Sequence, residues 1–232
     1  VAARRGPNPP RLLPVLVSAT AMGLSLLILP LLFSMANGLR VRNCNLPAGL
    51  AFYALLPLAG MLVAAPTGVL AGWLVRGRRL GRALAFGIPV VSILWALLRL
   101  YLDPPVFILD AFGGYFPGPI YDEGLGPSRR LVWFRLANLT WIASAVALVE
   151  GFVVQTDSGR VKLGWPHSSR IVRLGTLALL FTGSALWFGF RASLGFHITK
   201  TDLTQVLSRR TQSQHFEMWS EPTGDTSEDI AL

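Results

Sequence analysis

Apolar residues are gathered into five long stretches, and short polar segments separate them. A membrane helix needs about 20 apolar residues, because the hydrocarbon core is about 30 Å thick and each residue rises about 1.5 Å. A barrel strand would need about 10 residues of alternating polarity, a pattern the chain does not show. We therefore predict an all-α membrane protein, a bundle of five transmembrane helices at residues 12–36, 46–75, 83–102, 131–154 and 171–190.

The composition agrees with a lipid environment. Of the 232 residues, 52% are hydrophobic and only 14% are charged, whereas soluble domains carry about 25% charged residues. The net charge of +9 would suggest nucleic acid binding in a soluble protein. Here the basic residues flank the apolar stretches, so we expect the lipid bilayer as partner and no nucleic acid.

The distribution of lysine and arginine predicts the orientation, because cytoplasmic loops are enriched in both. With the N-terminus inside, the two outside loops hold only four basic residues. Five spans then place the C-terminus outside. The inside segments hold Arg4, Arg5, Arg11, Arg76, Arg78, Arg79, Arg82, Arg160, Lys162, Arg170 and Arg173.

The chain divides into three parts on this pattern. Residues 1–11 are a Pro/Arg-rich lead that we expect to be disordered and cytoplasmic, and residues 12–192 hold the bundle. Residues 193–232 change character, with a helix expected to end near Arg210 and a strand at 214–219. Such a short α/β tail cannot bury a core of its own. It therefore predicts the start of an extracytoplasmic domain, or a segment that belongs with a protein partner on that side.

The second stretch contains Pro57 and Pro66, which predict a tilt or kink, because proline removes a backbone donor and clashes with the preceding turn. Gly68 and Gly72 form a small-xxx-small pair, which we interpret as close packing inside the bundle. The short loop that follows could bind anionic lipid, at about 1 kcal/mol for each basic residue, although its role in orientation explains its arginines fully. Its arginines are Arg76, Arg78, Arg79 and Arg82.

The longest connection, 106–128, is rich in glycine, proline and aromatic residues. This composition rules out a long helix and suits the membrane–water interface. We expect a folded loop that lies on the outer membrane surface. It is either a plain loop or a lid that docks an outside domain.

Charged residues near the outer helix ends form a candidate cluster beneath this loop. Arg99 and Asp103 are four residues apart on one helical face, and Arg135 lies one turn into the fourth stretch. Near a helix end, such side chains can simply extend to the interface. The functional alternative is that they hold the loop down or bind a lipid phosphate. The full candidate set is Arg99, Asp103, Asp110, Tyr115, Tyr121, Asp122, Glu123 and Arg135.

Motifs for catalysis, metals and cofactors are missing from the sequence. Cys44 is the single cysteine, and three histidines lie far apart. There is no HExxH helix, no P-loop and no nucleophile elbow. We therefore predict no catalytic residue, no metal ligand and no cofactor within these residues.

Three segments resemble one group of proteins. They are LRVRNCN at 39–45, DAFGGYFPGPIYDE at 110–123 and LSRRTQSQHFE at 207–217. Together they resemble bacterial membrane proteins that join a bundle of spans to an outside gluzincin-type zinc metallopeptidase-like domain. The resemblance implies a bacterial inner membrane location and a zinc-binding HExxH beyond Leu232. It makes His215 a strand residue rather than a metal ligand.

The function that follows is a polytopic membrane anchor for an extracytoplasmic domain, the non-catalytic membrane part of a metallopeptidase. Two alternatives stay open: a small transporter or channel subunit, and an accessory subunit of a membrane complex. A continuous polar cavity would favour transport, and a solid bundle with an ordered outer loop would favour the anchor. Few polar residues lie within the stretches, and none of them is ionisable, which argues against proton or ion coupling. They are Ser18, Thr20, Ser25, Thr67, Ser92, Asn138, Thr140, Ser144, Thr182 and Ser184.

Overall fold

The computed structural model describes residues 12–40, 45–75, 77–102, 108–116, 127–155, 161–163, 170–190, 193–195, 207, 209–212 and 217–220. Within these ranges the chain is mostly helical. Four helices are long and apolar enough to cross a membrane, which indicates a multi-pass membrane protein. They are α1 (Leu12–Arg40), α2 (Leu46–Leu74), α3 (Arg78–Leu102) and α4 (Arg129–Phe152).

A fifth helix, α5 (Arg170–Ser184), continues into a π-helical turn at Ala185–Gly189. Its apolar part, Leu174–Gly189, is shorter than the other four spans. The described residues thus contain four helices of clear membrane-spanning length, one fewer than the five predicted. The fifth predicted stretch is helical all the same.

Helix α2 is the centre of the bundle and packs against α1, α3 and α4, while α4 packs against α5. The irregularity predicted for its prolines occurs at Pro57, inside a π-helical segment at Ala54–Leu58. A π-helical turn changes the backbone hydrogen-bond pattern, so the helix can continue past a proline that has no N–H to donate. Pro66 lies buried in regular α-helix.

Close helix contacts depend on glycine. A Cβ built on Gly81 of α3 would lie 3.3 Å from the Cα of Gly72 in α2, so the two backbones nearly touch. A Cβ on Gly183 of α5 would lie equally close to Thr140 of α4. Small residues let membrane helices approach, and here the glycine that the contact requires is Gly81, since a Cβ on Gly72 itself would meet open space.

Large apolar side chains point outwards along these helices. Phe33 on α1 and Phe86 on α3 are 68% and 75% exposed. The small buried core joins Leu12, Leu70 and Val149 from three helices. Water would not tolerate so large an exposed apolar surface, so the arrangement fits lipid as the surrounding solvent.

In the described ranges, three short antiparallel hairpins connect or follow the helices: β1–β2 (Ile108–Asp110, Gly114–Phe116), β3–β4 (Val153–Gln155, Val161–Leu163) and β5–β6 (Arg209–Gln212, Glu217–Ser220). The helix predicted to run to about Arg210 is wrong at its end, because Arg209 and Arg210 pair in β5 instead. The strand predicted at 214–219 overlaps β6.

The loop predicted at 76–82 is also shorter than expected. Helix α3 begins at Arg78 rather than at residue 83, so Arg79 and Arg82 lie in its first turns. Long basic side chains can remain in water while their backbone is already helical, which explains the difference. Arg76 lies outside the described residues.

Candidate functional site

The hairpin β1–β2 turns at residues 111–113, with Asp110 paired to Gly114. Gly114 has a φ of +97°, a left-handed conformation that side chains other than glycine rarely adopt. It is also buried, and a Cβ there would lie 3.5 Å from Leu56 of α2 and 3.7 Å from Arg135 of α4. The glycine therefore allows both the tight turn and the close approach to two helices.

Asp110 holds the turn together and attaches it to α3. One carboxylate oxygen, Oδ1, accepts hydrogen bonds from the amides of Phe112 at 2.9 Å and Gly113 at 2.5 Å. The other, Oδ2, accepts from the Ser92 hydroxyl at 2.5 Å. The aspartate is only 7% exposed, so its charge is stabilised by these donors rather than by water.

The hairpin 108–116 is inserted among the helices, so this part of the predicted outer-surface loop does not lie at the helix ends, and residues 117–126 lie outside the described residues. Ser92 lies ten residues before the end of α3 at Leu102, about 15 Å along the helix. The Phe112 carbonyl oxygen lies 4.0 Å from where a Cβ on Gly60, at the midpoint of α2, would stand. Irregular backbone at this depth needs protein partners for its polar groups, and Asp110 and Arg135 supply them.

Arg135 holds the hairpin from the opposite side. Its Nη1 donates to the carbonyl oxygen of Ala111 at 2.8 Å and of Asp110 at 3.4 Å, and its guanidinium carbon lies 5.9 Å from the centre of the Phe134 ring. Arg135 is 1% exposed. The interpretation that it extends to the interface is therefore wrong, because its guanidinium is enclosed by protein and bonded to two backbone carbonyls of the hairpin.

Some donors at this site have no acceptor. Among the described residues, Arg135 Nε and Nη2 and Asn138 Nδ2 are buried and make no hydrogen bond. Asn138 lies one turn further along α4 and is 5% exposed. Buried polar groups in folded proteins are almost always paired, so these three need an explanation.

The structure brings together only part of the predicted cluster. Asp110 and Arg135 meet, since the arginine donates to the Asp110 backbone carbonyl. Arg99 is partly buried in the last turn of α3, and Tyr115 lies on β2. Asp103, Tyr121, Asp122 and Glu123 lie outside the described residues.

Sequence reasoning missed the roles of Ser92 and Asn138, which it treated only as isolated polar residues. A usable signal was the aspartate followed by two glycines at 110–114, since aspartate often accepts amides two and three residues on. Nothing in the sequence marks Ser92 as its partner.

A cavity of about 450 Å³ lies between α1 and α2 and contains no charged residue in its lining. Leu31 and Met35 line it from α1, and Tyr53 and Leu56 from α2. Leu56 also faces Gly114, so it separates the cavity from the hairpin. The Tyr53 hydroxyl donates to the Leu27 carbonyl and joins the two helices.

The described residues contain no group of three His, Cys, Asp or Glu side chains that could hold a metal ion. No protein-family model matches the chain, and no curated protein or solved structure matches it either. The site must therefore be interpreted from its own chemistry.

Proposed function

We propose that the chain is a polytopic membrane anchor, in which five helices carry an extracytoplasmic domain that begins after α5. The observation that carries this proposal is the hairpin 108–116, which is inserted in the bundle and bonded to α3 and α4 through Asp110, Ser92 and Arg135. Such bonds join the connection between α3 and α4 to both helices and hold the unliganded bundle together. A bundle held together in this way suits the support of a domain.

The fifth span of the proposal is α5 with its π-helical turn. From Arg170 to Gly189 the two segments contain 15 and 5 residues, about 30 Å of helix. The apolar part, Leu174–Gly189, supplies about 24 Å of it, and arginines at the start of the helix can extend to the interface to complete the span. An odd number of spans places the two ends of the chain on opposite sides. The lysine and arginine bias then puts the N-terminus in the cytoplasm.

Reporter fusions test this topology. We expect green fluorescent protein to fluoresce when fused before Val1, and alkaline phosphatase to be active when fused after Leu232. A phosphatase fusion after Gly77, in the α2–α3 connection, is the matched inactive control. An inactive phosphatase at Leu232 would mean four spans and would remove the proposal of an outside domain.

The outside domain that we propose is a zinc metallopeptidase, and the chain in hand is its non-catalytic membrane part in a bacterial inner membrane. The support is the resemblance of the segments 39–45, 110–123 and 207–217. Reading the genomic frame beyond the Leu232 codon tests it. An HExxH helix there is the expected result, and an immediate stop codon would end the peptidase proposal.

The start of α3 is the surface that we propose for anionic lipid. Arg78, Arg79 and Arg82 are all exposed in its first turns. Each should contribute about 1 kcal/mol of attraction near an anionic surface. Replacing the three by glutamine should reduce the phosphatidylglycerol that the detergent-purified chain retains and leave the retained neutral lipid unchanged.

Transport is the second candidate, because a buried aspartate and arginine at mid-helix depth are typical of substrate and proton pathways. We favour the anchor for two reasons. Both oxygens of Asp110 already accept hydrogen bonds, and the cavity lining carries no charge. Proteoliposomes with a trapped pH dye decide between them: an anchor should show no proton flux above that of empty vesicles, whereas a flux lost in Asp110→Asn would favour transport.

A further inference from the structure

Two buried polar side chains stand one turn apart on α4 and present donors without acceptors. Arg135 and Asn138 are 1% and 5% exposed, and a spacing of three residues puts them on one face of the helix. Their free groups are Nε and Nη2 of the arginine and Nδ2 of the asparagine, within the part of the chain that the structure describes.

Leaving such donors unpaired is costly, because they lose their hydrogen bonds to water and gain none in return. The cost is largest for the guanidinium, which is charged. An apolar residue at position 138 would avoid the cost of the unpaired Asn138 amide altogether. The presence of both residues on one buried face therefore points to an acceptor that binds there.

The geometry of the guanidinium indicates the kind of acceptor. Nη1 is occupied by the carbonyl of Ala111, at 2.8 Å. The remaining pair, Nε–H and Nη2–H, lies along one edge of the planar group and forms a fork with two parallel donors. That fork matches two oxygens of a carboxylate or a phosphate. The Asn138 amide can donate one further hydrogen bond to the same anion.

We propose that the free edge of Arg135 and the amide of Asn138 form a binding site for an oxyanion, either a free phosphate or carboxylate or the phosphate of a lipid headgroup. In this structure the hairpin covers the edge, since a Cβ on Gly114 would lie 3.7 Å from Nη2. The oxyanion reaches the donors when β2 moves away from α4. The hairpin thus acts as the cover of the site.

Thermal unfolding of the purified chain tests the proposal. In detergent micelles, phosphate or acetate should raise the Tm by about 2–4 °C over chloride at equal ionic strength. In nanodiscs, phosphatidylglycerol against a neutral lipid tests the headgroup source. A gain with soluble anions identifies a free ligand, and a gain with the lipid alone identifies the headgroup.

Three variants test whether the rise in Tm comes from binding at Arg135 and Asn138. Arg135→Lys keeps the charge and loses the fork, and Asn138→Leu keeps the volume and loses the amide, so both should abolish the gain. Arg40→Gln, at the exposed end of α1, should retain it. If Arg135→Lys does not fold, Asn138→Leu decides alone.

Because the hairpin covers the free edge of Arg135, the accessibility of the hairpin to a labelling reagent provides a second measurement. In a Cys44→Ser background, a cysteine at Ala111 should react faster with a water-soluble maleimide when the stabilising anion is present. The proposal is overturned if no anion or lipid raises the Tm of the native chain. It is equally overturned if Asn138→Leu keeps the full gain or if Arg40→Gln loses it.

Discussion

Replacing Asp110 should release the hairpin from the bundle. Its carboxylate accepts hydrogen bonds from Phe112, Gly113 and Ser92, while its backbone carbonyl accepts from the buried Arg135. In Asp110→Ala these three donors lose their acceptor, whereas the bond from Arg135 goes to the backbone and is kept.

The magnitude can be worked from these contacts. Hydrogen bonds to a charged group contribute about 1.5–3 kcal/mol each, but the three share one carboxylate and do not add fully. Losing three bonds to one buried carboxylate, discounted for this sharing, should cost about 3–5 kcal/mol. We expect Asp110→Ala to lower the free energy of unfolding by about that amount, and Asp110→Asn, which keeps an acceptor for both amides, by about 1–2 kcal/mol.

The assay is reversible unfolding in mixed micelles of increasing denaturing detergent. Thr182→Ala is the matched control, because its hydroxyl is exposed and bonds only the Ala178 carbonyl of its own helix. The control should stay within about 0.5 kcal/mol of the native chain. An Asp110→Ala variant no less stable than this control would refute the described role of the carboxylate.

Two further predictions concern the same contacts. Ser92→Ala should cost about 1–3 kcal/mol, because it leaves a buried carboxylate oxygen short of a donor, whereas Ser18→Ala should be close to neutral, its hydroxyl bonding only a carbonyl of its own exposed turn. Equal effects in micelle unfolding would contradict this. Gly114→Ala should destabilise by about 1–3 kcal/mol through its positive φ, while Gly87→Ala, with open space around it in a helix, should stabilise by up to about 1 kcal/mol. A neutral Gly114→Ala would show that the turn adopts another conformation.

The apolar pattern predicted most of the helical framework, because lipid demands long uniform helices and leaves a strong signal. Helix starts were less certain where basic residues lie in the first turn, as at Arg78. The tail helix was mispredicted at Arg209 because local capping signals cannot register the pairing with β6.

The position of the hairpin could not be predicted from composition. Glycine, proline and aromatic residues are typical both of a surface loop and of a turn buried among helices. What decides between them is the bond from Asp110 to Ser92 and the bond from Arg135 to Ala111, which join residues 18 and 24 positions apart. Such pairs are visible only once the helices are assembled.

Accessibility of the hairpin turn in sealed vesicles tests the account most directly. In a Cys44→Ser background, cysteine is placed at Ala111, whose carbonyl accepts from Arg135, or at the exposed Ser193 beyond α5. A membrane-impermeant maleimide is added on the side of the C-terminus. We predict rapid labelling at 193 and protection at 111 until denaturing detergent is added, whereas equal labelling in intact vesicles would show that the hairpin lies outside the bundle.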